Sequence, residues 1–217
     1  MSLRGLILPR SVIRVAVWVL ALASLMVLPA CWVYSVHPLY DENLSPDPDL
    51  IADPSLLGAW LRMDEGCHWT LRIAANGPRY ELKMAPGEGC KSDEEASDYE
   101  AHLLKLGNHR FLDVSSQQEV CAGVCPPLHS FFLVSQTSTN LALTPIDHDW
   151  MVQSINSKKV TLEHLPNSSR PSEPLKTSDA ITLTAPSSEL KKFVRQYADD
   201  KSAFNADSAA VIKFKKK

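Results

Sequence analysis

The cysteines are the residues of this chain whose chemistry is most informative. Cys67, Cys90, Cys121 and Cys125 form an even set, which outside the cytoplasm is typical of two disulfide bonds. Three residues separate Cys121 from Cys125, a spacing that zinc-binding thiols and redox pairs also use. No second pair of that kind is present, because 22 residues separate Cys67 from Cys90. Structural disulfides are therefore the preferred interpretation.

Four cysteines allow three pairings, and the sequence around Asn76-Gly77 favours one of them. An Asn-Gly dipeptide between two alternating apolar runs is typical of a tight hairpin turn. Folding the chain back at that turn brings Cys67 close to residue 86, a few residues before Cys90. We therefore predict a Cys67–Cys90 bond, which leaves Cys121 and Cys125 to close a small loop.

The histidines form no recognisable catalytic or metal-binding motif. Seven of them are scattered along the chain, and the common nucleophile, zinc-protease and phosphate-loop motifs are absent. His148 lies between Asp147 and Asp149, which in one interpretation makes it an acid-flanked base or a metal ligand. The favoured interpretation is that the aspartates cap a following helix and that His148 is exposed on the turn. We predict no catalytic residue, no metal and no cofactor, and a protein that is not an enzyme.

The first 30 residues are organised like a secretory signal. Arg4, Arg10 and Arg14 precede the apolar run Val15–Leu28. The next residues, Leu28-Pro29-Ala30-Cys31, resemble the lipobox of bacterial lipoproteins. In that family the cysteine is acylated and the chain is cut before it. The resemblance implies that residues 1–30 are a signal peptide and that Cys31 is the site of lipid attachment.

An uncleaved signal anchor is the alternative to this interpretation. Residues 15–36 contain no charge, and about 20 apolar residues suffice to span a bilayer. Both interpretations leave the arginines in the cytoplasm and the folded part on the other side, in the bacterial cell envelope. In lipoproteins of double-membrane bacteria, Asp after the cysteine often retains the protein at the inner membrane. Trp32 occupies that position in this chain, which favours location at the outer membrane.

Charge and length limit what the exported part can be. The whole chain has a net charge of −3, and its first 30 residues hold three arginines and no acid, so the remainder carries −6. Nucleic acid is an unsuitable partner for such a chain. Residues 31–54, which contain three Asp and three Pro in their second half, are expected to be a lipidated tether without regular structure. Residues 55–217 fit a single domain.

Short alternating runs with close turn signals predict a mainly β domain, an antiparallel β-barrel or sandwich. On one pair of runs, Trp69, Leu71 and Ile73 share a face and lie opposite Tyr80, Leu82 and Met84. A C-terminal amphipathic helix is predicted over residues 187–200, with an apolar stripe at helical spacing, and a shorter helix over residues 149–156. The predicted strands are 56–63, 67–74, 79–85, 99–106, 109–115, 130–136, 140–145, 159–165, 180–184 and 210–214.

Several pieces of the chain also resemble a group of bacterial envelope lipoproteins to which no activity is assigned. They begin with His37-Pro38-Leu39-Tyr40 and Leu56-Leu57-Gly58-Ala59-Trp60. Gly58-Ala59-Trp60 further resembles the G-x-W signature of lipocalin-like barrels. That resemblance implies that Trp60 closes one end of a barrel, under a late arginine. The last predicted strand offers Lys213 and Lys215 but no arginine, so this part of the pattern is unmet.

Two functions are compatible with these features. The first is a membrane-anchored lipoprotein whose barrel binds a small apolar or amphipathic molecule. The alternative is an envelope protein-interaction or assembly factor, without a ligand cavity, that binds another protein through its surface.

Overall fold

Ten strands, two α-helices and one 3-10 turn are found in the residues that the computed structural model describes, which are 32–64, 67–91, 95–116, 127–166 and 173–217. The predicted signal peptide (residues 1–30), Cys31, Cys121 and Cys125 lie outside these residues. The strands are β1 Val33–Ser35, β2 Gly58–Asp64, β3 Cys67–Asn76, β4 Arg79–Pro86, β5 Ser97–Leu106, β6 His109–Ser116, β7 His129–Gln136, β8 Asn140–Pro145, β9 Ile181–Leu183 and β10 Ile212–Lys216. The helices are α1 His148–Asn156 and α2 Ser187–Tyr197, and the 3-10 turn is Pro54–Leu56.

Eight strands close into an antiparallel barrel. Strands β2 to β8 pair in chain order, and β10 inserts between β8 and β2 to complete the ring. Strands β1 and β9 extend the sheet outside the ring, where β1 pairs antiparallel with β7 and parallel with β9. The prediction of a mainly β barrel with a C-terminal amphipathic helix is therefore confirmed, and the barrel rather than the sandwich is the fold.

The two ends of the barrel differ in their connections. The tight hairpins after β3, β5 and β7 lie at one end, here called the closed end. The turn predicted at Asn76-Gly77 is among them, and Gly77 has a φ of +62°, a conformation that glycine adopts without strain. The other end, here called the mouth, is where β2, β4, β6 and β8 end and where β3, β5, β7 and β10 begin.

The domain has two apolar cores because several strands are apolar on both faces. On β5, Ala101 and Leu103 point into the barrel, while Leu104 and Leu106 point outward. The outward side chains of β5, β6 and β7 form a second core with the two helices and with β1 and β9. The predicted stripe of α2 is buried in this second core, and its members are Leu190, Phe193, Val194 and Tyr197.

The segment predicted to be a tether differs from the prediction, because from residue 32 onward it is packed on the barrel. Val33 and Leu39 are buried. The backbone of residues 49–51 pairs with β5, with Ile51 N–H donating to the Leu103 carbonyl at 2.9 Å and Lys105 N–H donating to the Asp49 carbonyl at 2.8 Å. Composition suggested a free segment, but its backbone and acidic side chains find partners that are distant in sequence.

The strand predicted over residues 159–165 is also wrong. This segment makes one isolated bridge, between His164 and Leu183. Its N-terminal part instead continues the turn after α1, where Val160 N–H donates to the Ser154 carbonyl at 3.0 Å. Its partner, β9, is only three residues long, so the contact between them stays short.

Candidate functional site

The closed end of the barrel is sealed around Trp60. The indole is fully buried, and its Nε1 donates to the Leu56 carbonyl at 2.8 Å. The Lys216 ammonium lies 4.6 Å from the centre of the indole ring and donates to the carbonyls of Ser55 and Leu57, each at 3.1 Å. Gly58 starts the strand with a φ of +115°, which explains the glycine of the G-x-W pattern. Lys216 thus takes the position that the resemblance gave to an arginine.

Exposure of the inward-facing side chains increases from the closed end to the mouth. Near the closed end, Trp60 and Leu103 are 0% exposed. On β4, Tyr80 and Leu82 are each 4% exposed, but Met84, the next inward residue toward the mouth, is only partly buried. The barrel is therefore filled at one end and accessible from the other among the residues that the structure describes.

The accessible inward residues form a group that we call the mouth cluster. Its members are apolar or aromatic, each is partly exposed, and they come from β1, β4, β5, β6 and β10 and from the residue that precedes β1. They are Trp32, Tyr34, Met84, Tyr99, Val114 and Ile212, of which all but Tyr34 pack against the barrel core.

Tyr34 and Trp32 enter this cluster through the short strand β1. Val33 points outward, because it lies in the second core. Neighbouring residues of a strand point to opposite faces, so Tyr34 points toward the barrel interior. Burial raises the pKa of Tyr34 above its ordinary value, and the neighbouring Tyr99 raises it further. Trp32 packs edge-to-face on Phe132, with ring centroids 5.9 Å apart.

Polar groups accompany the apolar ones at the mouth. Arg62 is two residues from Trp60 on β2 and shares its inward face, directly opposite Trp69 on β3. Both side chains are partly buried. Ser130 lies on the inward face of β7, two residues from Phe132. The mouth therefore offers one guanidinium, phenol hydroxyls and a serine hydroxyl beside an apolar interior.

A disulfide fixes the rim of the mouth. Cys67, at the start of β3, is bonded to Cys90 in the connection after β4, with the two Cα atoms 4.4 Å apart. Backbone hydrogen bonds support the same contact, because Gly87 N–H donates to the His68 carbonyl at 2.8 Å and His68 N–H to the Glu88 carbonyl at 3.0 Å. The predicted Cys67–Cys90 pairing is confirmed.

A buried Asp–His pair lies on the outer wall of the barrel. His129 Nδ1 is 2.7 Å from Asp113 Oδ1, and the other Asp113 oxygen accepts the Leu39 N–H at 2.5 Å. Such a pair could orient a general base. However, Asp113 is 1% exposed, His129 is 6% exposed, and Ser35, which pairs with His129 across the strands, is 0% exposed. In the described structure both side chains are buried, and the pair holds the N-terminal segment on the wall.

His148 is buried, which differs from the prediction that it is exposed. Asp147 caps α1 as predicted, since its Oδ1 accepts the Trp150 N–H at 2.9 Å. The His148 ring turns inward instead, and its Nε2 donates to the Asp179 carbonyl at 2.8 Å. This histidine joins α1 to the segment before β9, and that partner lies too far along the chain for a local pattern to reveal it.

An ionic clamp holds the N-terminal segment on α2. The Lys191 ammonium donates to Asp47 at 2.6 Å and to Asp49 at 2.7 Å, and Arg195 donates to both oxygens of Asp49. Burial alone would lower the pKa of Lys191, but the two carboxylates outweigh it and raise that pKa. Asp47 is 1% exposed, so this clamp is an internal contact and not a binding surface.

Neither known proteins nor the other polar groups of the described residues point to a second candidate site. Comparison with known protein families, curated proteins and solved structures found no match. In the described ranges, no group of three or more His, Cys, Asp or Glu side chains is arranged to hold a metal ion. None of the helices described is long and apolar enough to cross a membrane. The mouth cluster is therefore the candidate site.

Proposed function

We propose that this protein is a bacterial envelope lipoprotein, anchored by lipid on Cys31, whose barrel takes up the apolar part of a small amphipathic molecule at its mouth. The supporting observation is the gradient of exposure along the inward face, from the fully buried Trp60 to the accessible mouth cluster. Eight-stranded barrels have interiors that are either filled by side chains or wide enough for one small ligand. Here one end is filled and the other is accessible.

The chemistry of the mouth favours an amphipathic ligand over a purely apolar one. Ligand sites combine apolar walls with a few polar groups that fix orientation. Met84, Val114 and Ile212 supply the wall, while the phenols of Tyr34 and Tyr99 supply polar contacts at the accessible end. A polar head beside these phenols, with its hydrocarbon chain directed toward the closed end, satisfies both parts.

Mass measurement tests ligand binding. The mature domain with Cys31→Ser, exported to a bacterial periplasm, is weighed under native and denaturing conditions. We expect a defined excess mass that is lost on denaturation, and its identification gives the class of ligand. Equal masses, apart from the disulfide hydrogens, would contradict a ligand site. That result would favour the alternative, an envelope interaction or assembly factor.

Metabolic labelling tests the anchor. With radioactive palmitate, we expect label on the wild-type protein and none on Cys31→Ser, which should also appear in the soluble periplasmic fraction. Membrane fractionation is expected to place the wild-type protein in the outer membrane, because Trp32 and not Asp follows Cys31. An unlabelled, membrane-bound chain that retains residues 1–30 would instead indicate an uncleaved signal anchor.

A further inference from the structure

We infer that the mouth of the barrel lies directly against the bilayer that holds the anchor, so that membrane lipid is the molecule the mouth cluster meets. This inference rests on the proposed function, since it requires the acylated Cys31. It adds the orientation of the barrel and the source of the ligand.

The position of Trp32 is the first observation. Trp32 is the first residue that the structure describes; it packs on Phe132 in the barrel interior, and β1 follows at once. Consecutive Cα atoms are about 3.8 Å apart, so the lipid-bearing residue is next to the mouth cluster. No tether separates the two. A barrel held this closely by its mouth end has little freedom to turn that end away from the membrane.

The composition of the mouth is the second observation. Trp and Tyr are enriched where proteins meet the membrane–water interface, because each ring combines an apolar body with a polar edge. Trp32, Tyr34 and Tyr99 belong to the mouth cluster, and Trp69 lies on the inward face of β3 in the half nearer the mouth. Four aromatic rings of these types therefore lie toward one end of the barrel.

Exposed leucines lie beside the same end. Three large apolar side chains are exposed among the described residues, and two of them, Leu128 at 42% and Leu165 at 53%, border the sheet that β1 extends. Leu128 directly precedes β7, at the mouth. The Leu165 N–H donates to the Thr182 carbonyl on β9, the strand that pairs with β1. Exposed leucines at this position are suited to contact with acyl chains.

The basic C-terminus is at the other end. Strand β10 runs from Ile212 near the mouth to Lys216 at the closed end, where the Lys216 N–H donates to the Thr139 carbonyl. The Lys216 ammonium already contacts the Trp60 ring and donates hydrogen bonds to two carbonyls. With the mouth on the membrane, the basic C-terminal end of β10 lies at the end of the barrel farther from the bilayer. Apolar and aromatic contact, and not attraction to anionic headgroups, is then the basis of the orientation.

Fluorescence quenching by brominated lipid tests this orientation. The mature acylated protein, residues 31–217, is reconstituted into phosphatidylcholine vesicles whose acyl chains carry bromine, which quenches tryptophan only at close range. We expect quenching in the wild type and in the control Trp60→Phe, which removes the indole at the closed end. The double variant Trp32→Phe, Trp69→Phe should lose most of the quenching, because it removes the indoles nearest the membrane.

Vesicle flotation separates the possible failures. If the acylated protein does not float with the vesicles, both the anchor and this inference are overturned. If it floats but shows equal quenching in all variants, or none, the orientation alone is overturned and the anchor stands. Insertion of a Gly/Ser linker of about 12 residues, which spans roughly 20 Å, between Cys31 and Trp32 should keep flotation and lower the quenching. Unchanged quenching would contradict the claim that the short connection sets the contact.

Discussion

The ammonium of Lys216 lies 4.6 Å from the centre of the Trp60 ring and at the same time donates to the Ser55 and Leu57 carbonyls. These contacts join the last strand of the barrel to the 3-10 turn that precedes its first strand. They seal the closed end, so that in the described residues the mouth is the accessible end of the barrel.

Loss of the contacts between Lys216 and Trp60 should lower the stability of the domain while leaving it folded. Lys216→Met keeps the length of the side chain but removes the cation and its hydrogen bonds. We expect the free energy of unfolding to fall by about 1 kcal/mol, the size of an exposed cation–π contact. Urea unfolding followed by tryptophan fluorescence measures it. Lys213→Met, on the outward face of the same strand, should leave the stability unchanged, and an equal loss in both variants would contradict the assigned role.

The ionic clamp on α2 predicts a larger effect. Lys191→Met removes the only cation that contacts the buried Asp47 in the described structure and leaves its carboxylate without a charge partner. Breaking one side of a buried ion pair costs about 3 kcal/mol or more. Lys192→Met is the matched control, because its side chain is exposed on the next position of the same helix. Similar unfolding midpoints for the two variants would show that the clamp contributes little.

Acid should weaken the same contact. Burial alone would raise the pKa of Asp47, but hydrogen bonds from the Asp41 N–H, Lys191 and the Asp49 N–H outweigh it and lower the pKa below its ordinary value. A carboxyl whose pKa is lower in the folded state stabilises the fold above its unfolded pKa of about 3.9, and this contribution is lost as the pH falls through the folded pKa. The free energy of unfolding should therefore decline below about pH 5.

A variant separates this carboxyl from the others. Asp47→Asn should show a shallower decline of stability with acid than the wild type, in urea unfolding repeated between neutral and acidic pH. Asp207→Asn, at an exposed position, should follow the wild-type curve. Parallel curves for all three proteins would mean that other carboxyls determine the acid sensitivity.

The Cys67–Cys90 bond should stabilise the domain measurably. The bond closes a loop across a sequence separation of 23 residues, and chain-entropy estimates for a loop of that size give about 3 kcal/mol. The double variant Cys67→Ser, Cys90→Ser should lose that amount in urea unfolding, and reduction of the wild type should reproduce the loss. If reduction destabilises the wild type and the double variant equally, the stabilisation comes from elsewhere.

Local signals in the sequence were sufficient to predict a mainly β antiparallel domain, but they left barrel and sandwich open and did not reveal the segments that pack on the barrel wall. The Asn76-Gly77 turn and the alternation around Leu71 and Leu82 predicted the central hairpin correctly, because turn chemistry and strand periodicity act over a few residues. The partner of Trp60 was missed because a lysine, and not the arginine of the resembling pattern, packs over the ring.

The N-terminal segment shows why the rest could not be predicted. Its aspartates and prolines suggested a free tether, yet Asp47 finds its cation 144 residues later in the chain. The placement of Trp32 and Tyr34 at the mouth depends on the pairing of β1 with β7 and β9. A strand of three residues is too short for its sequence pattern to predict that pairing. Aromatic residues directly after the predicted lipid-bearing cysteine were the one available signal.

Binding of a dansyl-labelled fatty acid to the soluble Cys31→Ser domain tests the central claim most directly. Met84→Trp narrows the mouth from inside, whereas Lys83→Trp places the same side chain on the exposed outer face of the same strand. We predict saturable binding to the domain, weakened about tenfold, or 1.4 kcal/mol, by Met84→Trp and unchanged by Lys83→Trp. Absence of saturable binding, or equal binding by the two variants, would contradict a ligand site at the mouth.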